Sequence, residues 1–408
     1  MIQADYIISL TRQALGGYVS ENGFQQSRLI AVAEDDLTID DGHAKFLRKA
    51  FASAHINILL GSAFSISSVP TLGKRESWFQ AIDTLVREYP KDKAWNTARG
   101  LLRAEYFKAV MLPLLGAEPD SSQLDFTSTM MSLVAERGTT TLPRRASFFT
   151  TNYDPMIELS LEKLCVPFND GFIGRVKPVF DPSSFSRLMC EQSLFMEYTS
   201  QVATANVLKA HGSLTWRRDG NGGGIAYSNV DDTLHSCYEG FADVVDFDQV
   251  VEVGHLVEAE CSEAGLTELY ELAGALPERE RGLIDGFADK YDSSLCIVNP
   301  AKRKFEETVL EQSYYDLLRI YANELDRNNA LLLVFGFSFA DEHILELTKR
   351  AIRSNPKLIT LISCHTRDDA ARYRSLFPNA DNVYLLAPKE DKEIGLAELT
   401  EVLRCVTR

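Results

Sequence analysis

A chain of 408 residues, 45% hydrophobic and 10% aromatic, has enough apolar surface for one large core or two smaller ones and does not have the composition of a disordered segment. Its formal net charge of −16 argues against direct nucleic-acid binding, because the densest basic runs, Arg144-Arg145, Arg217-Arg218 and Lys302-Arg303-Lys304, are short enough to be solvated loop charge. No apolar run nears the roughly 18 residues of a membrane-crossing helix, and Met1 to Leu10 lacks the basic start and apolar stretch of a signal peptide, so a cytoplasmic protein without a membrane partner is expected.

Taken in chain order, residues 1–50 read as helical, with Ile7, Ile8, Leu10 and Leu15 before a Gly16-Gly17 break. His55 to Leu60 is a compact apolar run closed by Gly61, the pattern of a buried strand and a turn. Residues 76–137 read as helices with breaks at Pro90, Pro113 and Pro119. A short strand from Ala146 to Phe149 leads into a polar turn and a helix from about Pro155, where proline suits a first turn that has no use for its missing N–H. A third strand runs from Asn206 to Ala210. The acidic stretch 217–292, with Gly220, Gly222, Gly223 and Gly224 near its start, reads as an insertion carrying short helices.

Three strand-helix units follow: Ala330 to Phe335 with a helix from about Asp341, Leu358 to Ser363 with a helix from about Arg367, and Asn382 to Leu386 with a helix near 392–405. Strands alternating with helices imply an α/β fold with a doubly wound parallel sheet, which binds ligands at the carboxyl ends of its strands. The expected organisation is a helical segment 1–50 and one domain 51–408, interrupted by a helical insertion at about 74–140 and the acidic one at about 217–292. Seven cysteines lie scattered with no Cys-x-x-Cys pair, so no zinc ribbon and no other metal is expected, and the thiols are expected reduced and buried.

Four polar clusters stand at the predicted strand ends. In Leu60-Gly-Ser-Ala-Phe-Ser65, small residues let backbone N–H groups approach a pyrophosphate, or simply make a tight turn. In Thr150-Thr-Asn-Tyr-Asp154, the Asn152 amide can hold a water or a ribose hydroxyl, while Asn152 or Asp154 can equally cap the helix that follows. In Lys209-Ala-His-Gly-Ser213, His211 can exchange protons near neutrality, although a lone histidine is usually structural. In Phe335-Gly-Phe-Ser-Phe-Ala-Asp-Glu-His343, Ser338 can bond a phosphate or ribose, Asp341 reads as a helix cap and His343 as structural.

Together and in this order, the four clusters resemble the sirtuin family. Gly61-Ser-Ala-Phe-Ser65 resembles its Gly-Ala-Gly-x-Ser loop, Thr151-Asn-Tyr-Asp154 its Gln-Asn-Ile-Asp motif, His211-Gly212 its His-Gly, and Gly336-Phe-Ser338 its Gly-x-Ser loop. The variants Thr-Thr-Asn-Tyr-Asp, Lys-x-His-Gly-Ser and Gly-Phe-Ser-Phe-x-Asp-Glu-His resemble more closely one branch, the sirtuin-like NADases of bacterial anti-phage defence, and the resemblance covers roughly residues 50–390. Three features depart from the protein deacetylases of the family: the zinc ribbon is missing, Val69-Pro-Thr-Leu-Gly73 stands where they carry Ile-Pro-Asp-Phe-Arg, with Thr71 in place of the aspartate, and Ser62-Ala63 stands where the first loop has its middle glycine. The resemblance implies a Rossmann-type sirtuin-like fold with NAD as substrate, cleaved to nicotinamide and ADP-ribose. It implies Asn152, His211 and Asp154 as catalytic, and Gly61, Ser62, Ala63, Ser65, Thr151, Gly212, Ser213, Gly336 and Ser338 as NAD-binding. The alternatives are a protein deacylase or ADP-ribosyltransferase, and a non-catalytic NAD or ADP-ribose-binding subunit. No Gly-x-x-x-x-Gly-Lys-Ser/Thr motif is present, and the chain resembles the stand-alone sirtuin-like partner of a HerA-type hexameric ATPase. A homo-oligomer docking such an ATPase is therefore expected, through residues 1–50 or the acidic insertion unless those only cover sheet faces and edges.

Overall fold

Short apolar runs flanked by turn residues form the strands, and each takes its register from its neighbours. The computed structural model describes residues 29–32, 37–70, 73–137, 141–194, 198–219, 224–242, 248–297, 308–389 and 392–407. The strands in chain order are β1 Leu29–Val32, β2 His55–Leu60, β3 Arg145–Thr150, β4 Phe168–Asn169, β5 Phe172–Ile173, β6 Val179–Phe180 and β7 Cys190–Gln192. They continue with β8 Thr199–Gln201, β9 Thr204–Lys209, β10 Trp216–Arg218, β11 Ile225–Tyr227, β12 Ala330–Phe335, β13 Ile359–Ser363 and β14 Val383–Pro388. The helices are α1 Asp41–Ser53, α2 Arg75–Glu88, α3 Lys93–Tyr106, α4 Ser121–Ala135, α5 Met156–Lys163, α6 Val230–Phe241 and α7 Asp248–Val257. After them come α8 Glu263–Ala275, α9 Glu278–Ser294, α10 Thr308–Leu325, α11 Glu342–Ser354, α12 Arg367–Leu376 and α13 Leu396–Thr407.

An eight-stranded sheet runs β1-β14-β13-β12-β2-β3-β9-β4, and every neighbouring pair in it is parallel. From β2 the chain builds outward through β3 to β9, then returns to the other side of β2 and builds outward through β12, β13 and β14. The strand order therefore reverses between β2 and β12, the place where doubly wound sheets leave a ligand site at their carboxyl edge. The central strands are buried on both faces, with alternate residues feeding opposite cores. Leu331, Leu333 and Phe335 of β12 join the core that contains Ile58, Phe148 and Val207. Leu332 and Val334 join the opposite core, with Leu59, Phe149, Leu208 and Tyr321. The expected α/β doubly wound parallel sheet is thus what the chain forms.

Several expectations need correction. Within the segment read as helical, Leu29–Val32 is a strand that pairs with β14, Ile30 opposite Leu386. Four residues are too few to display a period of their own, and the exposed edge of β14 supplies the register instead. Residues 1–28, with Ile7, Ile8, Leu10, Leu15 and the Gly16-Gly17 break, lie outside the described residues, as do Thr71, Gly220, Gly222, Gly223 and Lys302-Arg303-Lys304. The acidic insertion is more ordered than its sequence suggests. Its first strands, β10 and β11, join β6 and β5 in a second, antiparallel sheet. Its helices α7, α8 and α9 pack on α3 of the other insertion, so the two insertions form one helical layer. At Pro113 the expected break takes the form of a wide π turn over Phe107–Met111 and a 3-10 turn over Leu112–Leu114, because proline offers no N–H and crowds the carbonyl four residues back. The thiols are not uniformly buried: Cys237, Cys296 and Cys364 are, whereas Cys165 and Cys190 are exposed.

Candidate active site

Register brings the four polar clusters together. Phe335 of β12 pairs with Leu60 of β2, Leu60 with Thr150 of β3, and Thr150 with Lys209 of β9. These four residues form one row across the sheet, so the loops beginning at Gly336, Gly61, Thr151 and Ala210 emerge side by side at the carboxyl edge. Each loop follows a run of apolar residues that is fixed on both faces, which makes the edge a rigid platform for its polar groups.

The glycines serve the contacts between these loops. A Cβ on Gly61 would lie 2.1 Å from the carbonyl oxygen of Gly336, and one on Gly336 would lie 2.4 Å from the Ala63 Cβ. Gly336 also has φ +63, and Gly212 has φ +78 with its Cβ position 2.0 Å from the Cys296 carbonyl oxygen. The glycines at these three positions are thus required for close backbone packing within the protein. Residues Ser62–Phe64 form a 3-10 turn, held by Gln123, whose Nε2 donates to the Phe64 carbonyl at 2.8 Å.

Asn152 links two of the loops. Its Nδ2 donates to the Gly61 carbonyl at 3.0 Å and to Ser65 Oγ at 3.2 Å. Ser65 Oγ in turn donates to Asp154 Oδ1 at 2.9 Å, and Asp154 Oδ1 accepts from the Met156 N–H at 3.1 Å. Ser65 and Asp154 are buried, at 1% and 4% exposure. Asp154 therefore accepts from the first N–H of α5 and, through Ser65, orients Asn152, while Ser65 Oγ is turned inward between the two. Ser213 is fully buried as well, and its Oγ meets the Thr215 hydroxyl at 2.9 Å, so it holds its own turn. Thr151 and Asn152 remain half-buried, and Ser62 and Ser338 exposed. The Ser338 hydroxyl accepts a local bond from the Ala340 N–H at 3.3 Å.

His211 stands across from Asn152 on the neighbouring strand end. Its Nε2 lies 2.7 Å from Asp341 Oδ2, with the two side chains 18% and 7% exposed. Asp341 also caps α11, its Oδ1 accepting from the His343 and Ile344 N–H groups at 2.9 and 3.1 Å. The expected cap is present, but the second partner was missed: a carboxylate has two oxygens, and only the fold shows where the other one points. Tyr314 of α10 adds a wall, its ring centroid 5.8 Å from the imidazole. Burial, and then the charge of Asp341, push the Tyr314 hydroxyl well above its ordinary range. His343 is exposed.

Beneath the row lie buried groups that the sequence did not single out. Lys209 Nζ donates to the Asp154 carbonyl and sits 3.1 Å from Glu158 Oε2. Burial raises the Glu158 carboxyl to about 7, with Lys209 opposing the rise. Tyr153 shares a hydrogen bond between hydroxyls with Tyr106 of α3, which ties the Asn152 turn to the helical layer. Among the described residues there is no group of three or more His, Cys, Asp or Glu side chains that could hold a metal ion, and no helix long and apolar enough to cross a membrane.

No protein-family model matches the chain, and no curated protein matches it in sequence. Among solved structures, that of Sir2Tm bound to a propionylated peptide is similar with a TM-score of 0.42 and 14% sequence identity, over 87% of this chain and 94% of that one. The site is thus defined by its own residues: two polar side chains, Asn152 and His211, presented on adjacent strand ends beside the switch in strand order.

Proposed function

We propose that the chain is a sirtuin-like NAD glycohydrolase, cleaving NAD to nicotinamide and ADP-ribose. The observation that carries this reading is the in-register row that sets Asn152 and His211 beside the two glycine loops, in the chain order of the sirtuin-like motifs. The residues fit NAD as a substrate. Exposed Ser62 and Ser338, with half-buried Thr151, offer hydroxyls to phosphate or ribose. The Asn152 amide nitrogen is committed to Gly61 and Ser65. Its Oδ1 is thereby left to accept from a ribose hydroxyl or a water.

In the reaction the C1′–N bond breaks and its electron pair passes to the nicotinamide nitrogen, which leaves neutral. Positive charge develops on the ribose, as in glycoside hydrolysis. A water positioned by Asn152 adds to C1′, and its proton passes to His211, then to solvent. Asp341 stabilises the imidazolium that forms. The positioning and proton-transfer contributions are each of the order of 10²- to 10⁴-fold. Incubation of the purified chain with NAD, followed by chromatography, tests the reading: nicotinamide and ADP-ribose are expected in equal amounts without an acceptor. Nicotinamide released only with an acyl-lysine peptide or a protein acceptor would replace hydrolysis by group transfer. Binding of NAD without turnover would make the chain a sensor.

The same proposal extends to biology. An NADase depletes its own cell, so its activity must be held in check; a role in anti-phage defence, self-assembly and docking to a HerA-type ATPase are parts of this reading.

A further inference from the structure

We infer that Asp341 fixes His211 as the tautomer protonated on Nε2, so that Nδ1 is the nitrogen that takes the proton. This rests on the reading of His211 as the base. An ionised carboxylate only accepts hydrogen bonds, so the ring nitrogen 2.7 Å from Asp341 Oδ2 has to be the donor. Asp341 cannot rotate away to serve another geometry, because Oδ1 is held by two backbone N–H groups at the start of α11. The neutral imidazole then carries its lone pair on Nδ1, which has no protein hydrogen bond among the described residues. Tyr314 completes the arrangement. It is 6% exposed, its ring flanks the imidazole, and its hydroxyl has no partner among the described residues. An apolar wall of this kind strengthens the pairing of His211 with Asp341, and its hydroxyl stays protonated rather than competing as a base. Asp341 is thus a positioning residue: it lies on the β12–α11 loop and acts on the reaction through a histidine on the β9 loop.

The variant Asp341→Asn separates this role from helix capping. Asparagine keeps an oxygen for the two N–H groups of α11 but turns an amide N–H toward Nε2, which then has to accept. The proton moves to Nδ1 and the base is lost. Two readouts apply to the full-length protein. In ¹⁵N spectra of labelled imidazole, the wild-type His211 is expected to be protonated on Nε2 and the variant on Nδ1. In turnover, kcat for nicotinamide release is expected to fall about 10²- to 10⁴-fold with KM for NAD little changed and the thermal melt preserved. The variant Asp341→Glu, which restores an acceptor, is expected to recover part of the loss. A wild-type His211 protonated on Nδ1, or an Asp341→Asn enzyme with unchanged kcat, would overturn the inference. The spectra need no turnover, so a chain that releases no nicotinamide would defeat the NADase reading while leaving the tautomer measurable.

Discussion

Asn152 and His211 each commit one polar atom to the protein and keep another for a ligand, which is the property that separates them from the other polar residues around them. Truncation to Asn152→Ala or His211→Ala is expected to lower nicotinamide release by at least about 10²-fold, measured on protein whose circular dichroism matches the wild type. Both candidates stand out in the sequence because each lies just beyond the end of a predicted strand. Ser65, Asp154 and Ser213 looked equivalent there, since residue type and spacing do not say which way a side chain turns within a loop. Burial and hydrogen bonding decide it, and these three turn inward. His55, at the start of β2, illustrates a structural histidine. Burial first, then the nearby charges of Arg327, Arg137 and Arg145, lower it from 6.5 to about 4. The unfolded chain therefore takes up a proton that the folded one refuses across this range. Stability present above pH 6.5 is lost as the pH falls toward 4. The variant His55→Gln is expected to show a shallower loss over that window in urea denaturation, with no change in slope above pH 7.

The glycine loops are where element packing and the site coincide. In the variant Gly61→Ala the new methyl would meet the Gly336 carbonyl group and the Phe337 Cα, backbone atoms fixed by the ends of β2 and β12. Overpacking of that kind is expected to cost about 1–3 kcal/mol of stability, read from the shift of the denaturant midpoint at constant slope. It should also weaken NAD binding, because the two loops would separate. The central strands were readable as apolar runs of four to six residues, and their alternation with helices pointed to the parallel sheet. Strands β1 and β4, of four and two residues, and the small antiparallel sheet were not. Segments that short are ordered by the edges they join rather than by their own pattern. The helices α7 to α9 of the acidic insertion were underestimated for a related reason: their charge describes the outward faces, while Leu269, Ala273, Ile284 and Phe287 turn toward α3 and the neighbouring helices.

At the scale of the molecule, the two insertions form one layer over one face of the sheet, joined to the Asn152 turn by the hydroxyls of Tyr106 and Tyr153. A partner bound to that layer would act on the site through α3. Under the docking proposal, light scattering of the purified protein is expected to give a mass that is a multiple of 45.6 kDa. Mixing with a HerA-type hexameric ATPase is expected to produce a larger species with an altered rate of NAD hydrolysis. A monomer that ignores the ATPase would end that proposal. Order of synthesis adds a constraint of another kind. Among the described strands β1 borders β14 alone in the large sheet, so Leu29–Val32 leaves the ribosome long before the residues that pair with it. At the usual 5–20 residues per second the wait is roughly 20–70 s. During translation this apolar segment has no sheet to join, and a nascent chain stalled before Val383 exposes it to chaperones and to other nascent chains. A chain cut short ahead of β14 therefore lacks the strand that gives Leu29–Val32 its register.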